Sequence, residues 1–452
     1  MTLSERLARY AAGFRYEDLP PDVVHAATQR LIDTLACALA GHAEDPARIA
    51  REVTGLLRPK GPATIIGTRG TSAPDLAAFS NGVAVRALDF NDTYLSLEAL
   101  HPSDTIPALL AVAEAEGRNG KELLAAMVLS YEVACRLADA SSIRDRGWDH
   151  TTYGVIPTAL AAGYLMRLDP AGLAHAVNLA VASNVTLRQI RVGHLSMWKG
   201  AAFGNASRNG VFAAYLARFG MTGPAEVFEG PRGFFAQVSG PLDLALADPG
   251  GSYRIVDTLI KQYPAEYHAQ AAIEAALALR KRAKGNAIEA VEVHTYKAAV
   301  QIIGGEPEKW YPATRETADH SLPYLTAVAL LDGEVSRGSF AMERIMDPAV
   351  RAFLPRITVS EDLEHTSRYP RTLPVRMVVR TAGGHTLMEE VETPLGHPRR
   401  PMTDAQLERK FRACAVPPLS ARRAKRLLAR LWRIDTEDSL SDLLRLCTIP
   451  RR

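Results

Sequence analysis

From residue 22 to residue 219 the chain repeats one pattern: apolar side chains at three- and four-residue spacing, punctuated by Pro, Gly and Asn. The stretch 22–40 carries Val23, Val24, Ala27, Leu31, Leu35 and Leu39 on one helical face after Pro20-Pro21. Helices are likewise expected over 75–88 after Pro74, and over 107–116 and 120–138 as an antiparallel pair joined by Arg118-Asn119-Gly120. Further helices are expected over 157–168, 171–182 and 199–219. Many of these segments are rich in alanine, whose small side chain lets helices approach closely. A short extended piece over 63–67 suggests a small hairpin. Such a run commits this part of the chain to a large helical body.

The period changes near residue 250. Ile288-Glu289-Ala290-Val291-Glu292-Val293-His294-Thr295 alternates with period two, as does 356–359, and 373–380 with 387–393 reads as a hairpin across Ala382-Gly383-Gly384. Helices over 269–281 and 320–331 lie among these strands. From Thr403, which forms a capping-box pattern with Gln406, the chain is helical again, with further starts at Ser420 and Ser439. The expected fold is a mainly α-helical domain with a second α+β lid domain. Its expected parts are 1–255, the helical domain; 256–402, the α+β lid; and 403–452, a helical return to the first domain.

The chain has 452 residues and a net charge of +3, so nothing in it demands a nucleic-acid or membrane partner. No run of 18 apolar residues occurs, and residues 1–10 read as a helix and not as a signal peptide. The basic cluster Arg422-Arg423-Ala424-Lys425-Arg426 reads as a solvated helix face. Cys37, Cys135, Cys414 and Cys447 are too far apart for zinc or iron–sulfur spacing or a disulfide framework. A cytoplasmic location is the expectation. No GxGxxG follows a strand, and no Walker A or HExxH motif occurs.

Five polar constellations stand out against this background. Leu88-Asp89-Phe90-Asn91-Asp92-Thr93-Tyr94 is followed by His101-Pro102-Ser103-Asp104, which puts an imidazole just before an apolar helix with Ser103 or Asp104 as its cap. Turn-forming side chains satisfied by their own backbone are the plain alternative for Asp89 and Thr93. His150 lies in Trp148-Asp149-His150-Thr151-Thr152, where a structural histidine is as well supported as a catalytic one. Lys199 falls in the first turn of an otherwise small and apolar helix, an unfavourable place for a cation unless an anion joins it or solvent covers it. Lys261-Gln262-Tyr263-Pro264-Ala265-Glu266-Tyr267-His268 offers an anion clamp and an acid–base pair, or simply an acidic helix start. Arg315, in Thr314-Arg315-Glu316-Thr317-Ala318-Asp319-His320-Ser321, has the fork that binds a carboxylate, while Asp319-His320-Ser321 reads as the start of the next helix.

Taken together and in order, these phrases resemble the MmgE/PrpD family, which includes 2-methylcitrate dehydratase, cis-aconitate decarboxylase and iminodisuccinate epimerase. The resemblance covers nearly the whole chain. It implies a helical domain built from both chain ends, an α+β lid, a homodimer, and chemistry without metal, iron–sulfur or organic cofactor. It also implies pocket roles for Asp89, Thr93, His101, His150, Lys199 and Lys261. The related decarboxylases carry a histidine two residues past the proline, where this chain has Glu266 and holds His268 instead, as the dehydratases do. The implied reaction is the cofactor-independent dehydration of 2-methylcitrate or a similar hydroxy tricarboxylate, a step of propionate metabolism, by proton abstraction α to a carboxylate. His101, His150, Asp89 and Thr93 are the candidate catalytic residues. Lys199, Lys261, Glu266, His268 and Arg315 are the candidate substrate-binding ones. Three alternatives stay open: decarboxylation of cis-aconitate, epimerisation of a small dicarboxylate such as iminodisuccinate, and a non-catalytic dimeric scaffold.

Overall fold

The computed structural model describes residues 1–58 and 60–450. They form a helical unit, made of 1–58, 60–189, 200–260 and 403–450, and an α+β unit made of Ile190–Lys199 and Lys261–Met402.

The helical unit begins with α1 (Leu3–Ala12), α2 (Pro21–Gly41), α3 (Asp45–Leu57) and α4 (Pro74–Arg86). It continues with α5 (Ile106–Ala115), α6 (Gly120–Ala140), α7 (Thr151–Leu165) and α8 (Pro170–Ala182), and with α9 (Trp198–Arg218) from Gly200 on. Between α3 and α4 a two-residue hairpin pairs β1 (Ala63–Thr64) with β2 (Thr71–Ser72). Helix α4 packs on both α2 and α5, and α7 packs on both α6 and α8. Small residues make the closest crossings possible. A Cβ on Gly82 of α4 would lie 3.1 Å from the Cα of Gly204 in α9, and one on Gly154 of α7 would lie 2.4 Å from the Phe203 ring. The chain returns in Asp404–Ala415, capped by Thr403 and Gln406 as the sequence suggests, and this helix lies against α2. The four cysteines are buried and none forms a disulfide. Among the described residues no helix is long and apolar enough to cross a membrane.

One helix start differs from expectation. Pro157 lies inside α7 and does not open it; the helix starts six residues earlier at Thr151. The Asp149 carboxylate accepts the Thr151 N–H at 3.1 Å, and residues 151–156 are all buried. Packing over that turn outweighs the backbone hydrogen bond that a mid-helix proline removes.

The α+β unit is built on a four-stranded sheet in the order β6–β5–β7–β8. Strand β5 (Ile288–Thr295) pairs antiparallel with β7 (Val375–Thr381), which forms the expected hairpin with β8 (Thr386–Val391). It pairs in parallel with β6 (Ile357–Glu361). Helix α10 (Gln270–Ala283) covers β7 and β8, and the helix Leu322–Asp332 packs on α10. Their apolar faces meet Val291, Val293, Val375, Met377 and Val379 in one core.

Candidate active site

In the helical unit the chain leaves α4 through a tight turn in which Asp89 takes φ +48°, a left-handed conformation that aspartate tolerates better than most residues. A buried network holds the turn. Arg86 Nη1 donates to Asp89 Oδ1 at 3.0 Å and to Asn91 Oδ1 at 2.9 Å, and its Nε lies 3.5 Å from Asp104 Oδ2. Asn91 Nδ2 in turn donates to Ser103 Oγ (2.8 Å) and Asp104 Oδ1 (2.7 Å). Ser103 and Asp104 therefore do not cap α5, contrary to the sequence expectation. A 3-10 turn over Pro102–Thr105 precedes it, and their side chains serve the Asn91–Arg86 cluster instead.

Asp92 is fully buried and accepts from Tyr131 Oη (2.8 Å) and from the Ser103 N–H (3.0 Å). Burial pushes its carboxyl up, while the hydrogen bonds from Ser103 and Tyr131 pull it back. Its backbone carbonyl lies 2.7 Å from His101 Nδ1. A carbonyl can only accept, so Nδ1 of the neutral ring carries the proton and Nε2 presents the lone pair. Thr93 Oγ1 lies 3.1 Å from the same Nδ1, and the Thr93 backbone is paired with Leu259. His150 stands edge-to-face with His101, ring centroids 5.5 Å apart, and its Nδ1 is 3.5 Å from Asp149 Oδ1. All four candidate catalytic residues are thus placed in the helical unit, with the two imidazoles adjacent.

The candidate binding residues belong to the α+β unit. Thr314 Oγ1 donates to the Leu195 carbonyl and the Leu195 N–H donates to Thr317 Oγ1, which tethers the segment before Lys199 to the turn before Asp319. Lys199 is buried, 3% exposed, and its Nζ donates to Asp319 Oδ1 at 2.7 Å. His320 Nδ1 is 3.1 Å from the same Nζ, and Arg315 Nη1 is 3.4 Å from Asp319 Oδ2. Asp319-His320-Ser321 therefore does more than open a helix. Ser321 caps Leu322–Asp332, while the two residues before it meet Lys199.

The Glu266 N–H donates to the Asp319 carbonyl (2.8 Å), which ties the Glu266–His268 segment to the same turn. Glu266 Oε2 accepts the His268 N–H at 2.6 Å, and Oε1 is 3.9 Å from His268 Nε2. His268 Nδ1 is 2.7 Å from Tyr296 Oη, whose phenol burial holds well above its ordinary pKa. Lys261 is buried at the start of this segment. The loop after it is clamped by Gln270, whose side chain accepts the Gln262 and Tyr263 N–H groups and donates to the Tyr263 and Ala265 carbonyls.

Residues 5–247 match the MmgE/PrpD N-terminal domain and residues 263–434 the MmgE/PrpD C-terminal domain. The chain belongs to the MmgE/PrpD family. It is 33% identical to the 2-methylcitrate dehydratase of Cupriavidus necator, over 85% of this chain and 84% of that protein. It is 30% identical to the 2-methylcitrate dehydratase of Escherichia coli K12, over 88% and 87%. The human cis-aconitate decarboxylase is 27% identical over 93% of this chain and 89% of its own. Within this MmgE/PrpD chain, sequence reasoning did not single out Arg86, Tyr131 or Tyr296 as partners of the site. Arg86 lies in a helical run among Val83, Ala84 and Val85, where a fully buried arginine leaves no periodic signal.

Proposed function

We propose that this chain dehydrates 2-methylcitrate, or a closely similar hydroxy tricarboxylate, to the corresponding unsaturated acid. The coarse class is that of its relatives: the chain is an enzyme, a hydro-lyase. The observation that carries the mechanism is the His101–Asp92 hydrogen bond, which keeps the Nδ1 proton on the ring and so makes Nε2 its basic nitrogen.

In the proposed reaction His101 takes the proton from the carbon α to one carboxylate. The electron pair left behind spreads into that carboxylate as an enediolate. It then forms the carbon–carbon double bond as the neighbouring C–O bond breaks, and the departing hydroxyl takes a proton from His150 and leaves as water. A ring next to His101, with its Nδ1 beside the Asp149 carboxylate, suits an imidazolium that gives up a proton from Nε2. Thr93 and Asp89 position this segment, through the His101 ring and through Arg86 respectively. Lys199, Lys261 and Arg315 are assigned to the substrate carboxylates, where cationic charge offsets the enediolate as it develops. Glu266 and His268 are assigned to the substrate hydroxyl and carboxylate groups. The same reading makes the protein a cytoplasmic homodimer working without metal or organic cofactor.

The test is to incubate the purified protein, with chelator present, with 2-methylcitrate, citrate, cis-aconitate and iminodisuccinate. An unsaturated acid formed fastest from 2-methylcitrate supports the proposal. Carbon dioxide from cis-aconitate or inverted configuration in iminodisuccinate, with no dehydration, replaces it with decarboxylation or epimerisation. No turnover of any of them leaves the scaffold.

A further inference from the structure

Lys309 is a buried cation that the proposed reaction does not use. It lies in the four-residue helical turn Pro307–Trp310, and its side chain is 1% exposed. The ion pair described for it is with Glu306 Oε2 at 3.6 Å, longer than a charge-assisted hydrogen bond, and that carboxylate is itself one-third exposed. Lysines in such places usually extend the ammonium to solvent, and taking it out of water is costly unless it is well paired.

The backbone keeps Lys309 where it is. Its carbonyl accepts the Ser321 hydroxyl, and Trp310 Nε1 donates to the Gly304 carbonyl at 2.9 Å. Ser321 is two residues past Asp319, the partner of Lys199 Nζ. Two buried lysines are thus anchored on one turn, 319–321, with Arg315 on the far oxygen of Asp319. Burial pushes the Lys309 ammonium below its ordinary pKa; Glu306 pulls it back, and the positive charge of Lys199 lowers it further. A buried ammonium whose carboxylate partner is long and partly in solvent is stabilised by an added anion.

We infer that Lys309 is a further substrate-holding residue, forming with Lys199 a two-lysine subsite for the third carboxylate of a tricarboxylate. The inference rests on the reading of the chain as a hydroxy-tricarboxylate dehydratase. It deepens that reading by naming a residue that separates tricarboxylates from dicarboxylates.

The experiment uses the full-length enzyme and Lys309→Met, Lys309→Arg and Glu306→Gln. Steady-state kinetics are measured with 2-methylcitrate, and binding of citrate and of succinate is measured by calorimetry. Lys309→Met should raise KM and weaken citrate binding by about 10- to 100-fold, with kcat within about threefold and succinate binding unchanged. Lys309→Arg should recover part of the loss, and Glu306→Gln should cause none of it. Thermal melting should find Lys309→Met folded, because methionine fills the space without a buried charge. The inference is overturned if Lys309→Met binds citrate as wild type does, if citrate and succinate weaken equally, or if Glu306→Gln reproduces the loss. Citrate binding that depends on Lys309, in a protein that does not dehydrate 2-methylcitrate, removes the reaction and keeps the subsite. A wild-type protein that binds no tricarboxylate removes both.

Discussion

Lys410→Met tests how the returning carboxy-terminal helix braces the segment that carries Asp89 and His101. Lys410 Nζ lies 2.6 Å from Asp33 Oδ1 of α2, donates to the Phe90 carbonyl at 2.8 Å, and stands 3.8 Å from the Phe90 ring centroid. The lysine side chain is 4% exposed and the aspartate 1%. Burial works against the ammonium, yet the Asp33 carboxylate holds its pKa above the ordinary lysine value. Removing the cation strands a buried carboxylate, a loss of about 3–5 kcal/mol, and the lost contact with the Phe90 ring costs about 1–2 kcal/mol more. Asp33→Asn in the same chain removes the stranded charge. The double variant should therefore regain about 2 kcal/mol or more over Lys410→Met. Urea titration gives the midpoints, and hydrogen exchange of α2 amides reports the loss locally. A double variant no more stable than Lys410→Met would refute the argument, because it would show that the pair is not energetically coupled.

Other outcomes follow from the same contacts. Arg86→Lys keeps the charge but loses the fork that joins Asp89 and Asn91, on Nη1, to Asp104, beside Nε, so kcat/KM should fall about 10- to 100-fold in a folded protein, and unchanged kinetics would remove its positioning role. Gly67 has φ +85°, and a Cβ there would lie 2.2 Å from His42 Nδ1; Gly67→Ala should cost about 2 kcal/mol or more by urea midpoint. Burial, with Arg51 and Arg399 respectively, lowers His42 and His397 from 6.5 to about 4. The unfolded chain then binds more protons between those values, so their contribution is complete above pH 6.5 and is lost as pH falls towards 4. Melting temperature against pH should flatten over that window in His42→Gln with His397→Gln; an unaltered slope would contradict the assignment.

Much of the fold was legible because its signals are local. The alternation in 288–295 became β5, the Gly383-Gly384 turn joined β7 to β8, and the Thr403–Gln406 capping box formed as read. The parallel pairing of β5 with β6 was not legible, since Val291 and Ile357 are 66 positions apart and nothing local records their register. The start of α7 was misplaced because proline is a local signal, whereas burial of residues 151–156 is a tertiary one. The site shows the same division. The segment from Asp89 to Asp104 announced itself by composition, yet its holders Arg86, Tyr131 and Lys410 look like ordinary helical residues until the fold brings them in. The cap role assigned to Ser103 and Asp104 failed for a related reason, because a side chain that can cap a helix can equally serve a buried arginine or asparagine.

The proposed dehydration turns on the imidazole at position 101 taking a proton from beside a carboxylate of 2-methylcitrate. Its most direct measurement is the rate of unsaturated acid formation by wild type and by His101→Ala, with melting curves to establish that both are folded. Wild type should form product, and the variant should form it about 10²- to 10⁴-fold more slowly at equal stability. A folded variant that forms product as fast as the wild type would contradict it.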